Sequence, residues 1–173
     1  MLKPNYSKYT LDNKVLSTAV VLIDTREKEN AHIIEWLEKK GIKHVEQKLD
    51  YGDYTLLLPK NDQYGIVQDV VLDYAVERKA HLEELSANLT NDRDRIENEL
   101  IRADGNLDFV IESGSLTAIA QHDYKTEYNE KSFLATLFSF RHRYRVSFNF
   151  VSKENSPQMI YNLLHYKLRE ELL

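Results

Sequence analysis

The run Val76-Glu77-Arg78-Lys79 closes an apolar stretch, and a Gly52-Asp53 pair precedes it in the chain. Side chains alternate along a strand, so Glu77 and Lys79 fall on one face and Arg78 on the other. An E-x-K triplet by itself is commonly a solvated strand edge. What decides its meaning is the rest of the chain.

That remainder reads as α/β. Val20-Val21-Leu22-Ile23 is a short buried strand ending at Asp24. Asn30 starts a helix bearing Ile33, Ile34, Trp36 and Leu37, and Gly41 stops it. Strands are expected over 44–48 and 54–58, the second entered through Gly52-Asp53. A long strand is expected from Ile66 to Lys79, with a break near Gln68. Helices follow over 81–89 and from Asn91 to Gly105, with Asp92 and Asp94 in the first turn of the latter. A strand at 107–111, a short helix at 115–120, a long helix from Glu130, a strand at 146–151 and a last helix from Pro157 complete the order. This pattern predicts a central mixed sheet with helices on both faces. Residues 1–17 are expected to be an irregular arm, and residues 18–173 a single domain.

At 173 residues, the chain is long enough for one full core. It has no cysteine, which excludes disulfides and thiolate zinc and suits a reducing cytoplasm, the expected location. The first residues lack the apolar core of a signal peptide, and no apolar run is long enough to span a membrane. A net charge of −5 argues against non-specific coating of nucleic acid. Basic residues are nevertheless locally concentrated. Arg93, Arg95 and Arg102 share one expected helix, and Arg141, His142, Arg143 and Arg145 end another. Arg93, Arg141 and Arg143 are the candidates for contact with DNA.

The acids carry the chemistry. Asp24 ends the first strand, Asp53 opens the third, and Asp73 shares the parity of Glu77 and Lys79. If these strands are neighbours, the carboxylates converge at one edge. Two like charges about 4 Å apart repel by roughly 4 kcal/mol at an effective dielectric near 20, so a cation or a proton has to neutralise them. Oxygen donors without paired His or Cys favour Mg²⁺ or Mn²⁺ over zinc. Asp24, Asp53, Asp73 and Glu77 are therefore the candidate metal ligands. Lys79 is the candidate catalytic cation, orienting water or stabilising charge on a phosphate. His81 and His122 are not needed by such chemistry. By strand parity Arg78 is expected in a structural ion pair. Glu27 is expected in a supporting role behind the metal ligands.

The series Asp24-Thr25-Arg26-Glu27, Gly52-Asp53 and Val76-Glu77-Arg78-Lys79 resembles the XPF-type nuclease domain, the nuclease module of the XPF and Mus proteins that cut branched DNA. The signature there is G-D, a variable gap, E-R-K, three residues and D. Its last position falls on Glu83, beside Glu84. Leu72-Asp73 and Phe109-Val110-Ile111-Glu112 also resemble that family, and the likeness covers roughly residues 20–166. It implies a restriction-endonuclease-like α/β core and a Mg²⁺- or Mn²⁺-dependent endonuclease acting on branched or flapped DNA in repair or recombination. It also implies a contribution from the Arg78 backbone carbonyl at the metal. The family's G-R with a later glutamine maps onto Asp92-Arg93 and Glu97, and none of the 173 residues reads as the family's tandem helix-hairpin-helix module.

The family dimerises through its nuclease domain. Apolar positions on the helices from Glu130 (Phe133, Leu134, Leu137, Phe138, Phe140) and from Pro157 (Ile160, Leu163, Leu164, Leu168) lead to the expectation of a homodimer pairing these helices. Such a dimer would bring a second arm with Arg141, Arg143 and Arg145 to DNA. The rival readings are a scaffold or DNA-binding subunit with an inactive nuclease fold, and a nuclease for RNA or plain duplex DNA. Inactive partners lose the acids and the E-R-K, whereas this chain keeps Asp53, Glu77 and Lys79. The sequence does not name the junction, the pathway or a helicase partner with which such an enzyme would work.

Overall fold

The computed structural model describes residues 6–173. In chain order the elements are α1 (Lys8–Thr10), β1 (Val20–Ile23), α2 (Ala31–Lys39), β2 (His44–Glu46), β3 (Tyr54–Leu58), β4 (Val70–Val71) and β5 (Ala75–Lys79). These are followed by α3 (Leu82–Thr90), α4 (Arg93–Ala103), β6 (Leu107–Glu112), α5 (Leu116–Ala120), α6 (Glu130–Tyr144), β7 (Phe148–Val151) and α7 (Ser156–Leu172). The strands form one sheet in the order β2-β1-β3-β5-β6-β7, with β4 added beside β3. Only β3 among the long strands runs against its neighbours, so β1, β2, β5, β6 and β7 all point the same way.

Strand alternation sorts the helices. Val76 and Val110 face the side covered by α2, α7 and the N-terminal segment, where Ile33, Leu37, Ile160, Leu164 and Leu168 are buried. Ala75, Phe109 and Ile111 face the other side, where α3, α4, α5 and α6 bury Leu85, Leu89, Ile96, Leu100, Ile119, Phe133, Leu137 and Phe140. The fold is thus α/β, a mixed sheet between two helical layers.

One expectation is corrected and another extended. The N-terminal arm is helical from Lys8 on, not irregular: α1 continues through a π turn (Leu11–Val15) and a 3-10 turn (Leu16–Thr18). Leu11, Val15 and Leu16 lie four and five residues apart, so a helical path puts them on one side, and all three are fully buried against α7. Met1 to Asn5 of that arm lie outside the described residues. The long strand has the expected break around Gln68 and a second one around Asp73, which separates β4 from β5. β3 pairs first with β4 and then with β5, and Thr55 Oγ1 donates to the carbonyls of Leu72 (3.1 Å) and Tyr74 (2.7 Å) across the break. Those bonds satisfy backbone groups that a continuous ladder would have used.

Candidate active site

The cleft lies at the carboxyl ends of β1 and β5, beside the start of β3, the edge at which open α/β sheets commonly bind ligands. It encloses about 450 Å³ and is lined by residues of the loop after β1, by Asp53 and the end of β5, and by α3 and α4.

Gly52 builds its floor. The residue has a φ of 68°, and a Cβ there would sit 2.7 Å from the Ala75 Cβ and 3.0 Å from Leu107 Cδ1. Only glycine fits both the conformation and the space. The chain then enters β3 with the Asp53 amide on the Val76 carbonyl (2.9 Å). Tyr54 pairs with Val76, so continuing the antiparallel register sets Asp53 opposite Glu77 on the same face. The Asp53 Oδ2 accepts the Arg78 amide at 2.8 Å. Burial first, and the Glu77 charge second, push the Asp53 carboxyl well above its usual pKa.

Lys79 follows Glu77 on that face. Its Nζ is 2.6 Å from Glu77 Oε1 and 4.0 Å from Glu84 Oε1, and the side chain is almost fully buried. Burial works against the ammonium, but Glu77 and Asp53 outweigh it and hold the lysine pKa above normal. Lys79 is therefore a permanent cation at neutral pH. Glu99, which the sequence reading missed, is a further buried acid: it reaches from α4 and accepts the Gly52 amide at 3.0 Å. Its pKa is raised, first by burial and then by Glu77.

Arg78 faces the opposite layer. Glu27 grips its guanidinium through both oxygens, at 3.0 and 3.2 Å, and Glu112 binds it from the other side at 3.0 Å. Glu112 is held in turn by His32 (2.7 Å) on α2 and by the hydroxyl of Ser156 at the start of α7. This network ties the β5 end to α2 and α7, with one guanidinium shared between two carboxylates.

Several candidates lie elsewhere. The Asp24 carboxylate is fully buried. It accepts the amides of Arg26 (2.8 Å) and Leu49 (2.7 Å) and two guanidinium bonds from Arg26 (2.6 and 3.0 Å). Burial opposes its charge, but these donors win and hold its pKa low. It is a loop anchor, not an open ligand. Asp73 precedes β5 beyond the break, is exposed, and is bound by Tyr51 (2.6 Å) in a separate cleft. Strand parity failed for it because the strand does not extend that far. Glu83 turns away to the Lys125 amide (3.1 Å), while its neighbour Glu84 lines the cleft and accepts the Ala80 amide (2.8 Å).

The basic candidates are also redistributed. Arg93 pairs with Glu97 at 2.8 Å and lies over Phe140. It is Arg95 that lines the cleft, and Glu99 stands four residues beyond it. The Arg93–Glu97 spacing thus recurs two residues on as Arg95 and Glu99, of which Arg95 lines the cleft and Glu99 reaches the Gly52 amide. Arg141 and Arg143 are exposed at the end of α6, just before β7 begins, and Arg145 bonds Asp104 ahead of β6. That is the amino edge of the sheet, opposite the cleft. Arg26 and Lys28 are the other cations on the cleft wall.

The expected convergence of four carboxylates reduces to Asp53 and Glu77. Among the described residues, no group of three or more His, Asp or Glu side chains is gathered as a closed metal cage. The donor chemistry of the pair still fits a hard divalent cation. Two carboxylates face each other from adjacent strands, and burial and then the Glu77 charge work against ionisation of Asp53, with Lys79 offsetting part of it.

Comparison with known proteins agrees with this architecture. XPF from Aeropyrum pernix superposes with a TM-score of 0.60 at 19% identity, covering 87% of this chain and 65% of that one. The same protein in complex with DNA superposes with a TM-score of 0.60 at 18% identity, covering 87% and 66%. The chain thus spans just under two thirds of the length of that protein. No curated protein matches the chain in sequence. A family model described as the ERCC4 domain matches residues 23–163, from the end of β1 into α7. With that match extending over most of its length, the chain belongs to the ERCC4 domain family.

Proposed function

We propose that the protein is a Mg²⁺- or Mn²⁺-dependent endonuclease that hydrolyses phosphodiester bonds in branched or flapped DNA, acting in the cytoplasm in repair or recombination. The observation that carries the reading is the cross-strand pair of Asp53 and Glu77 with Lys79 on the same face of one open cleft. Its support is the family and the fold, together with the DNA bound to the XPF it resembles.

Asp53 and Glu77 would hold the cation. When bound, a divalent ion supplies Lewis-acid stabilisation of the phosphate and a more acidic water. Lys79 stays charged because two carboxylates flank it, so it serves as an electrostatic partner for the phosphate and does not abstract protons. Lys28 and Arg95 on the cleft wall offer cations to the flanking phosphates, while Arg26 is taken up by Asp24. Arg78 holds the strand end in place through Glu27 and Glu112.

A homodimer belongs to the same reading, with a changed interface. The α7 stripe is spent on the protein's own core, and α6 and α7 lie in opposite layers, so the two helices do not share a face. What remains is Phe138 of α6, about half exposed, with Leu116, Phe148, Phe150 and Arg141 around a shallow apolar groove next to the edge strand β7. No helix among the described residues is long and apolar enough to cross a membrane.

The experiment is incubation with Mg²⁺ or Mn²⁺ and labelled flap, fork, Holliday-junction, single-strand, duplex and RNA substrates. Metal-dependent cutting of the branched DNAs is expected. No cleavage of any substrate by folded protein would leave the scaffold reading.

A further inference from the structure

We propose that Glu99 is a positioning residue for the centre: a strut from α4 that fixes the Gly52-Asp53 turn and thereby aims the Asp53 carboxylate at the cation site. The inference rests on the reading of Asp53 as a ligand and goes beyond it, since nothing in the E-R-K signature contains this residue.

Three constraints hold the turn. Ala75 and Leu107 pack so closely on Gly52 that no side chain fits. The Asp53 amide is committed to Val76 and its carbonyl to the Asp24 amide. The Gly52 amide has no place in that ladder, because the positive φ turns it out of the strand pairing. Glu99 is its acceptor, at 3.0 Å. A buried amide left without a partner costs about 1–3 kcal/mol, so this bond governs whether the turn is rigid.

The strut itself has a firm base. Ile96, Leu100 and Ala103 of the same helix are buried against the sheet. The carboxylate therefore approaches the turn from a fixed direction. It sits near Glu77, which makes a third acid there costly, with Lys79 and Arg95 offsetting part of the charge. The function assigned is acceptance of one hydrogen bond, so an uncharged acceptor of the same length has to serve as well. That requirement separates a strut from a third ligand or a general base.

The test compares Glu99→Gln, Glu99→Asp and Glu99→Ala with the wild type, each checked for thermal unfolding. Mn²⁺ affinity is measured by calorimetry without DNA, Gly52 amide exchange by NMR, and kcat and KM on a cleavable substrate. Glu99→Ala is expected to bind Mn²⁺ about 10–100-fold more weakly, the range seen when a ligand's outer support is removed, with faster Gly52 exchange and a loss confined to kcat. Glu99→Gln is expected to stay within about threefold of wild type in each readout, and Glu99→Asp to fall between them. Wild-type Mn²⁺ affinity in folded Glu99→Ala, or in Glu99→Asp should the alanine variant not fold, overturns the strut. Damage in Glu99→Gln equal to that in Glu99→Ala overturns it too, because charge would then be the function. A wild type that neither binds Mn²⁺ nor cuts DNA defeats the nuclease reading. The strut is then judged on exchange alone, and a Gly52 amide no faster in Glu99→Ala sinks it.

Discussion

Asp24 and Asp53 are neighbours across β1 and β3, and the amide of the first donates to the carbonyl of the second at 2.8 Å. Both stand at the same edge of the sheet, on strands of similar length. Their surroundings differ. Asp24 receives two amides and the Arg26 guanidinium, so its charge is satisfied and its pKa depressed. Asp53 is desolvated by burial, faces Glu77 and receives only one amide, so its pKa is raised. The same residue type at adjacent positions is an anchor in one case and a candidate ligand in the other. Donors that outweigh desolvation at Asp24 and do not at Asp53 make the difference, and strand position does not reveal it.

Substitutions on the Asp53 side should break activity and spare the fold. Glu77→Gln keeps the size and removes a ligand charge, so cleavage should fall by several kcal/mol of barrier, on the order of 10³-fold or more. Lys79→Ala should lose on the order of 10²–10³-fold in kcat, as when one charge-stabilising donor is removed. Circular dichroism and steady-state cleavage check both. The buried ion-pair network behind the strand should show the reverse. Arg78→Ala strands the Glu27 and Glu112 carboxylates in the interior and should cost about 3–5 kcal/mol of stability in urea unfolding.

Asp24→Asn sharpens the contrast through pH. The folded pKa of Asp24 lies below its unfolded value, so its contribution to stability is present above the ordinary carboxylate range. It disappears as pH falls through the depressed value. Near neutrality Asp24→Asn should lose about 1–3 kcal/mol, and the gap from wild type should close in acid. The smallest effect is expected at Asp73, where Asp73→Asn should change stability by no more than about 0.5 kcal/mol and leave cleavage alone.

Most of the fold was legible because periodicity and stop signals are local. The α6 start, the β3 bounds and the Gly52-Asp53 entry are read from adjacent residues. The N-terminal helix was hidden by its polar residues, with burial supplied by α7 from the far end of the chain. Asp73 was misplaced because a hydroxyl on another strand, that of Thr55, ends the ladder. Glu99 and Arg95 were missed because their importance depends on how α4 is rotated, and Arg93–Glu97 offered the same spacing two residues earlier. Arg141 and Arg143 were assigned to DNA from charge alone, and only the direction of α6 shows that they lie across the sheet from the cleft.

Cleavage by wild type, Asp53→Asn and Asp24→Asn, side by side on a labelled branched DNA with Mn²⁺ and again with EDTA, tests the site assignment most directly. Wild type and folded Asp24→Asn should cut, Asp53→Asn should not, and EDTA should stop all cutting. Cleavage by Asp53→Asn at the wild-type rate, or cleavage indifferent to EDTA, would contradict the account.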